Sequence, residues 1–446
     1  MKTSRCPGRS TAQVPAATPV AGCTPPQGVH AAFVGIDWGS QKHAFSLRRS
    51  GASLGEVRKG TFTMKQIPDW VCELRQQFAP GRVIVAMENH RGALLYALAQ
   101  HADFMDLVLV PTRSAAQYRQ AFCSSGAKAD GPDADSLLDM LYHHQEKLSI
   151  WQPDDEDTRL LAALCQMRRD AVDERTRLGN HLAARLRLAY PVALEICSSI
   201  TSNLGLELLH RWPTMAQLQA ARPQTLRQFF HLHHIHQPQL VEQRLQLIAQ
   251  TQALVCAPSV LIPAHLDIKR MAAELRAVLS AVDDYDKRIA VLYAKHPDAG
   301  IFKSLPGAGP AMGPRLLCAL GSQRERWPSA LELQTFSGLS PVRIASGNTS
   351  CIQMRRACPR YFRQTFHEFA SSSIRYCHWA KAYYEKQRAR GKQHHTALRS
   401  LAWRWVRVIW RMWQDHTPYQ ESVLMAERQR YQGVAHPATP TDCPTE

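Results

Sequence analysis

The chain has 446 residues, 54 Lys and Arg against 37 Asp and Glu for a net charge of +17, 45% hydrophobic residues and 12 cysteines. No apolar run approaches the ~20 residues of a spanning helix, and the ordinary composition excludes a collagen-like or wholly disordered chain. Length alone suggests about three domains, and so large a positive surplus points to a polyanion, most simply nucleic acid.

Residues 1–30 are rich in Pro, Ala, Thr and Gly without an apolar core and are expected to be a disordered tail, as are 433–446. AAFVGIDWG (31–39) is a continuous apolar run closed by Asp37 and Gly39, the pattern of a strand buried on both faces. KHAFSLRR (42–49) and GEVRKGTFTM (55–64) alternate more and suit two antiparallel strands. A helix is expected over Met64–Phe78, a strand over 82–88 running into a second helix, a fifth strand over 106–111, and a helix from near Ala134. Three strands followed by strand–helix alternation predict a ribonuclease-H-like α/β domain over 31–150.

Residues 155–295 read as almost wholly helical. Ile268, Met271, Leu275, Val278, Val282, Tyr285, Ile289 and Leu292 recur at spacings of 3 and 4, an unbroken heptad seam that predicts a coiled coil. A second seam runs through Leu160, Leu164, Met167, Ala171, Leu178, Leu182 and Leu186, and the two can pair within one chain or between chains. Residues 200–260 show short helices without an assignable arrangement. A third block, 298–420, is mainly helical and carries the positive surplus: Arg343 to Arg411 holds 15 Lys and Arg against Glu368 and Glu385.

The cysteines form no C-x-x-C and suit neither a zinc site nor a disulfide framework, so a reduced, intracellular protein is expected. HLHHIH (231–236) lacks a carboxylate or cysteine complement and reads better as a polar helix than as a metal site. His395, Arg399 and Tyr419 approximate a tyrosine-recombinase set, with one residue too many between the first two.

Four carboxylates stand out. Asp37 closes the first strand, Glu88 the fourth, and Asp130 and Asp133 lie in KADGPDAD before a helix. An acid ending a buried strand is costly unless solvated, paired or bound to a cation. Four hard oxygen donors suit two Mg2+ ions, which can clamp the attacking and leaving oxygens of a phosphodiester. The same residues also suit a strand-ending turn and a helix cap. Ser346, followed by Gly347, fits an open loop that a phosphate can approach, or an ordinary turn. SLPGAGP (304–310), with Gly307 and Gly309, precedes an apolar helix and can offer backbone N–H groups to phosphate, or simply start that helix. On the helix 399–413, Arg404, Arg407 and Arg411 share one face suited to phosphates, while Trp403, Val406, Trp410 and Trp413 form an apolar stripe expected in the core.

Together GIDWG, AMENH, KADGPDA, LPGAGPAMGPRLL, FSGLSPVRIASG and AYYEKQRARGKQHHTAL resemble the DEDD transposases of the insertion-sequence family numbered one hundred and ten, over about 31–150 and 298–420. The loop after Ser346 departs from the family pattern, reading SGNTSCIQMRRACPRYFR. The resemblance implies a RuvC-like domain, a coiled coil and a C-terminal transposase domain. It implies Mg2+, as two ions, held by Asp37, Glu88, Asp130 and Asp133, with Ser346 attacking a DNA phosphodiester. It further implies a dimer or tetramer held by the coiled coil, and a structured bridge RNA that pairs with donor and target DNA. Basic contacts are expected from Arg343, Arg355, Arg356, Arg404, Arg407 and Arg411, with the enzyme in the bacterial cytoplasm on the nucleoid. The alternatives are a RuvC-like nuclease acting through metals alone, and a non-catalytic nucleic-acid-binding remnant.

Overall fold

A computed structural model describes residues 30–52, 56–88, 92–122, 130–252, 257–346 and 349–422, so the tails expected over 1–30 and 433–446 lie outside the described residues except for His30. The elements run β1 (His30–Asp37), β2 (His43–Arg49), β3 (Val57–Phe62), α1 (Ile67–Phe78), β4 (Arg82–Glu88), α2 (Ala93–Ala99), β5 (Met105–Val110), α3 (Thr112–Phe122) and α4 (Asp130–His143). Helices α5 (Glu156–Ala189), α6 (Val192–Ile196), α7 (Asn203–Arg211), α8 (Met215–Gln219), α9 (Pro223–Leu232), α10 (Pro238–Gln250), α11 (Pro258–Lys295), α12 (Ala299–Lys303) and α13 (Gly309–Leu320) follow. The chain continues with α14 (Ala330–Phe336), β6 (Val342–Ser346), β7 (Thr349–Gln353), α15 (Arg360–Ser373), α16 (His378–Ala389) and α17 (His394–Gln414). The described residues fall into two compact units, one within 30–154 with 323–358 and one within 155–322 with 359–422.

The first unit is built on a five-stranded sheet ordered β3-β2-β1-β4-β5. β1 pairs antiparallel with β2 and parallel with β4, and β5 continues the parallel side. β1 is central and covered on both faces, which is why its sequence is an apolar run without alternation. One face packs on Ile67, Trp70, Leu74 and Phe78 of α1 and Leu94, Leu95 and Leu98 of α2. The other packs Phe33, Ile84, Ala86, Val108 and Val110 on Leu137, Leu138 and Leu141 of α4. Each large side chain so buried contributes roughly 1.5–3 kcal/mol. At the lower edge Arg82 grips Asp106 with two bonds, of 2.9 and 2.6 Å, and the buried His30 Nε2 lies 2.8 Å from the same carboxylate. Burial alone would raise the Asp106 pKa, but the bonds from His30 and Arg82 outweigh it and hold it down to about 2. The 323–358 segment joins this unit through Arg326, which pairs with Asp154 at 2.8 Å and donates to the Gln152 carbonyl at 3.0 Å. It ends in the β6–β7 hairpin, exposed along almost its whole length.

The second unit centres on two long antiparallel helices, α5 and α11, with Arg168 bonded to Asp286 at one level and Arg185 to Asp267 at another. Ile268, Met271, Leu275, Val282 and Ile289 of the heptad seam are buried within the chain. Of the expected α5 seam Leu164, Leu178, Leu182 and Leu186 are buried, but Leu160 and Met167 are exposed, and Thr158, Leu161 and Cys165 turn inward. Thr158 faces in because its hydroxyl bonds both the N-cap Asp155 and the buried His296. Short helices α6–α10 close the far end, burying Leu206, Leu209, Trp212, Leu218, Phe229 and Phe230. At the near end the buried Arg315 of α13 bonds Glu368 of α15 at 2.5 Å and Thr365 at 3.0 Å, while Arg169 approaches the same carboxylate at 3.4 Å. In α17 the buried stripe is Leu398, Leu401, Trp405, Val406, Ile409, Met412 and Trp413. Trp403 and Trp410, expected in that stripe, are only half-buried, because Trp405 takes the inward position and donates its N–H to Ser373.

Replacing Glu368 with Ala leaves Arg315 buried without its anion and is expected to cost about 3 kcal/mol in urea unfolding. Glu368→Gln, which keeps an acceptor, loses less. Because the folded pKa of Asp106 lies below its unfolded value, its stabilisation is present above about pH 4 and is lost as pH falls through about 2. The stability gap between wild type and Asp106→Asn, from denaturant melts at a series of pH values, should therefore be full at pH 7 and close toward pH 2.

Candidate active site

Strand register sets the first pair of acids. Gly35 pairs with Ala86 and Ile36 with Met87, which puts Asp37 beside Glu88 at the C-terminal ends of two adjacent parallel strands. Alternation along each strand turns both toward the α4 face, the side on which Gly35, Phe33 and Ala86 meet that helix. A Cβ on Gly35 would lie 2.2 Å from the Ala134 carbonyl oxygen and 2.4 Å from the Leu138 nitrogen. Only glycine lets α4 lie directly on β1 there, and this contact brings Asp133, the residue before Ala134, to the strand ends.

Glu88 and Asp133 line one small pocket with Ala115, Ala116, Arg119, Ser136 and Leu137, a cavity of about 30 Å³ that takes a water-sized group. The Arg119 guanidinium is hydrogen-bonded to Asp133. Asp130 opens α4 one turn earlier, with its side chain outside the described part. Asp135, two residues beyond Asp133, turns to the other side of α4 and accepts from Ser46 at 2.6 Å and Lys59 at 2.6 Å. On the opposite sheet face His43 is buried with neither ring nitrogen bonded, and burial pushes its pKa down, so the ring stays neutral beside Phe62.

Among the described residues, which leave out the Asp130 side chain, no three His, Cys, Asp or Glu side chains gather as metal ligands. At the acidic pocket Arg119 pairs with Asp133. Asp37, Glu88 and Asp133 are hard oxygen donors, the ligand type that a divalent ion such as Mg2+ takes. Arg119 lies on α3, a helix not expected from the sequence, since TRSAAQYRQAF has no clear apolar stripe. Its only sequence signal is a basic residue shortly before KADGPDAD.

Ser346 ends β6 at the exposed hairpin and is not among the residues lining the acidic pocket. Arg343 crosses that hairpin to Ser350 at 2.9 Å, Arg355 is half-buried and Arg356 exposed. Gly307, with φ of 80°, packs under α15, where Ser372 donates to its carbonyl at 2.7 Å. Gly309, with φ of 57°, opens α13 and has open space around it. On the exposed face of α17 Arg404 sits 4.7 Å above the Tyr383 ring, Arg407 5.8 Å above Trp403, and Arg411 pairs with Asp415. The Tyr419 oxygen accepts from Trp379 at 2.7 Å, and burial, then the Cys377 contact, push its pKa up, which makes it a poor nucleophile.

Residues 34–191 match the DEDD transposase domain of the IS110 family, and residues 299–385 match the transposase IS116/IS110/IS902 family. The chain belongs to the IS110 family of transposases. Among its relatives, the protein of the mini-circle IS117 of Streptomyces coelicolor is 25% identical over 409 residues, covering 88% of this chain and 96% of the relative. The 42 kDa protein of insertion element IS900 of Mycobacterium paratuberculosis is 28% identical over 350 residues, 78% of this chain and 86% of that one. The 44.8 kDa protein of IS116 of Streptomyces clavuligerus is 27% identical over 395 residues, 86% and 94% respectively. The first family match spans the whole five-stranded sheet after its first residues, and with it Asp37, Glu88, Asp130 and Asp133. The second ends before α17, so its arginines lie beyond the matched residues. No helix among the described residues is long and apolar enough to cross a membrane.

Substituting Gly35 with Ala forces α4 off β1. A melting temperature several degrees lower is expected, with Asp133 displaced from Glu88 in a crystal structure of the variant.

Proposed function

We propose that this transposase recombines DNA at an acidic site made by Asp37, Glu88, Asp130 and Asp133, with Ser346 as the nucleophile. The observation that carries the reading is the in-register placement of Asp37 and Glu88 across from Asp133, in a chain of a transposase family. The four carboxylates would hold two Mg2+ ions, which when bound polarise the phosphate and stabilise the attacking and leaving oxygens. Ser346 Oγ attacks the phosphorus, one deoxyribose oxygen leaves as an alcohol, and the serine proton passes to solvent or a neighbouring base. The phosphoserine link retains the phosphodiester energy, so a second strand's hydroxyl can reverse the step and complete an exchange.

Arg343, Arg355, Arg356, Arg404, Arg407 and Arg411, with the backbone at Gly307 and Gly309, contribute sequence-independent phosphate contacts. Sequence selection then falls to a bridge RNA pairing with donor and target DNA in the cytoplasm. Self-association belongs to the same proposal. Much of the α11 seam is buried within the chain, where Ile268, Met271 and Leu275 share a core with Leu178, Leu182 and Leu186 of α5.

The second reading, metal-dependent hydrolysis of branched DNA, is favoured by one observation, the absence of Ser346 from the pocket lining. Denaturing gels of labelled DNA incubated with the enzyme distinguish the two. A covalent protein–DNA adduct is expected for wild type, and a drop of at least about a hundredfold for Ser346→Ala and for Glu88→Gln. Cleavage by Ser346→Ala at the wild-type rate, without adduct, would establish hydrolysis instead.

A further inference from the structure

The start of α17 gathers imidazoles from two helices. His394 and His395 open α17 with ring centroids 5.0 Å apart, and the ring of His367 on α15 lies 5.5 Å from that of His395. The Tyr384 hydroxyl of α16 is 2.7 Å from His394 Nδ1, which anchors that ring by one nitrogen and leaves Nε2 for a second partner. Burial, then the neighbouring His395, Arg399 and His394, push the His367 pKa below its ordinary value, and none of these neighbours carries a negative charge. Against α15 also pack α13 and α16. Arg315, the one charged residue of α13, is bonded to Glu368, which also accepts from Gln364, and Glu385, the one acid of α16, is exposed. From His378 to Gln414 nine Lys and Arg stand against Glu385 alone.

We propose that His367, His394, His395 and Arg399 form a binding site for a backbone phosphate of DNA, separate from the arginines further along α17. This rests on the reading of the chain as acting on DNA and is independent of the acids and Ser346. Imidazoles held this close repel one another once protonated, and an anion among them reverses the sign of that interaction. A neutral imidazole offers one N–H, whereas the imidazolium offers two with a positive charge, and the Arg399 fork matches two phosphate oxygens. The first turn of α17 carries no acid, so its dipole acts in the same direction. A bound phosphate thus favours the protonated rings, and by reciprocity DNA binds more tightly as the rings gain protons.

The test follows the anisotropy of a short labelled duplex with the full chain at constant ionic strength, from about pH 8 down to about pH 5.5. Wild type is expected to bind about tenfold more tightly at the lower pH, the effect of one histidine pKa rising by about one unit. His394→Gln/His395→Gln, which replaces two exposed rings, and His367→Gln are each expected to keep at most about a threefold gain. His231→Gln/His236→Gln removes a different exposed pair, 4.5 Å apart, and is expected to keep the full gain. An undiminished gain in folded His394→Gln/His395→Gln and His367→Gln overturns the proposal, as does an equal loss in His231→Gln/His236→Gln. A histidine-dependent gain with RNA but not with DNA overturns the assignment to DNA. If wild type binds the duplex at no pH in this range, the reading of the chain as DNA-binding falls, and this inference with it.

Discussion

One close contact organises the chemistry of this molecule: the missing side chain at Gly35 lets α4 lie on the central strand. The backbone of Ala134 and Leu138 occupies the space a Cβ would need, so α4 sits at backbone distance from β1. Two consequences follow from the same geometry. The apolar residues Leu137, Leu138 and Leu141 seal one face of the sheet, and Asp133 arrives at the end of the strand that carries Asp37. Core packing and acid placement are thus one structural event, and neither can be altered alone.

Charge is distributed with the same economy. Arg119 pairs with Asp133 beside Glu88, and the buried Arg315 pairs with Glu368. The pairs differ in what surrounds them. Arg315 is enclosed by α13 and α15 and bonded on two sides, a fixed joint of the helical unit. Arg119 borders a small cavity and shares it with a second carboxylate, Glu88. The exposed arginines of α17 form a third class, Arg404 and Arg407 lying over Tyr383 and Trp403 and Arg411 pairing with Asp415.

The five strands were legible because each is a short apolar or alternating run bounded by Gly, Pro or charge, and the sheet order follows from three strands preceding the first crossover. Asp37 and Glu88 were legible for a related reason: an acid at the end of a buried strand contradicts its surroundings. Arg119 was not, because α3 buries no residue fully and so has no apolar period to betray it. The α5 seam was misphased at Leu160 and Met167 because heptad counting weighs only apolar residues, whereas Thr158 is drawn inward by Asp155 and His296. Trp405 was overlooked for the opposite reason: in a helix with four tryptophans, composition alone does not say which ones bond inward. Periodicity sees hydrophobic burial and misses burial that hydrogen bonds make affordable.

The most direct measurement of the central claim is anomalous diffraction at the manganese edge from crystals of the full chain soaked in Mn2+. The predicted result is an anomalous peak at the strand ends, against Asp37, Glu88 and Asp133. Saturating Mn2+ with no peak there would contradict the metal-dependent reading.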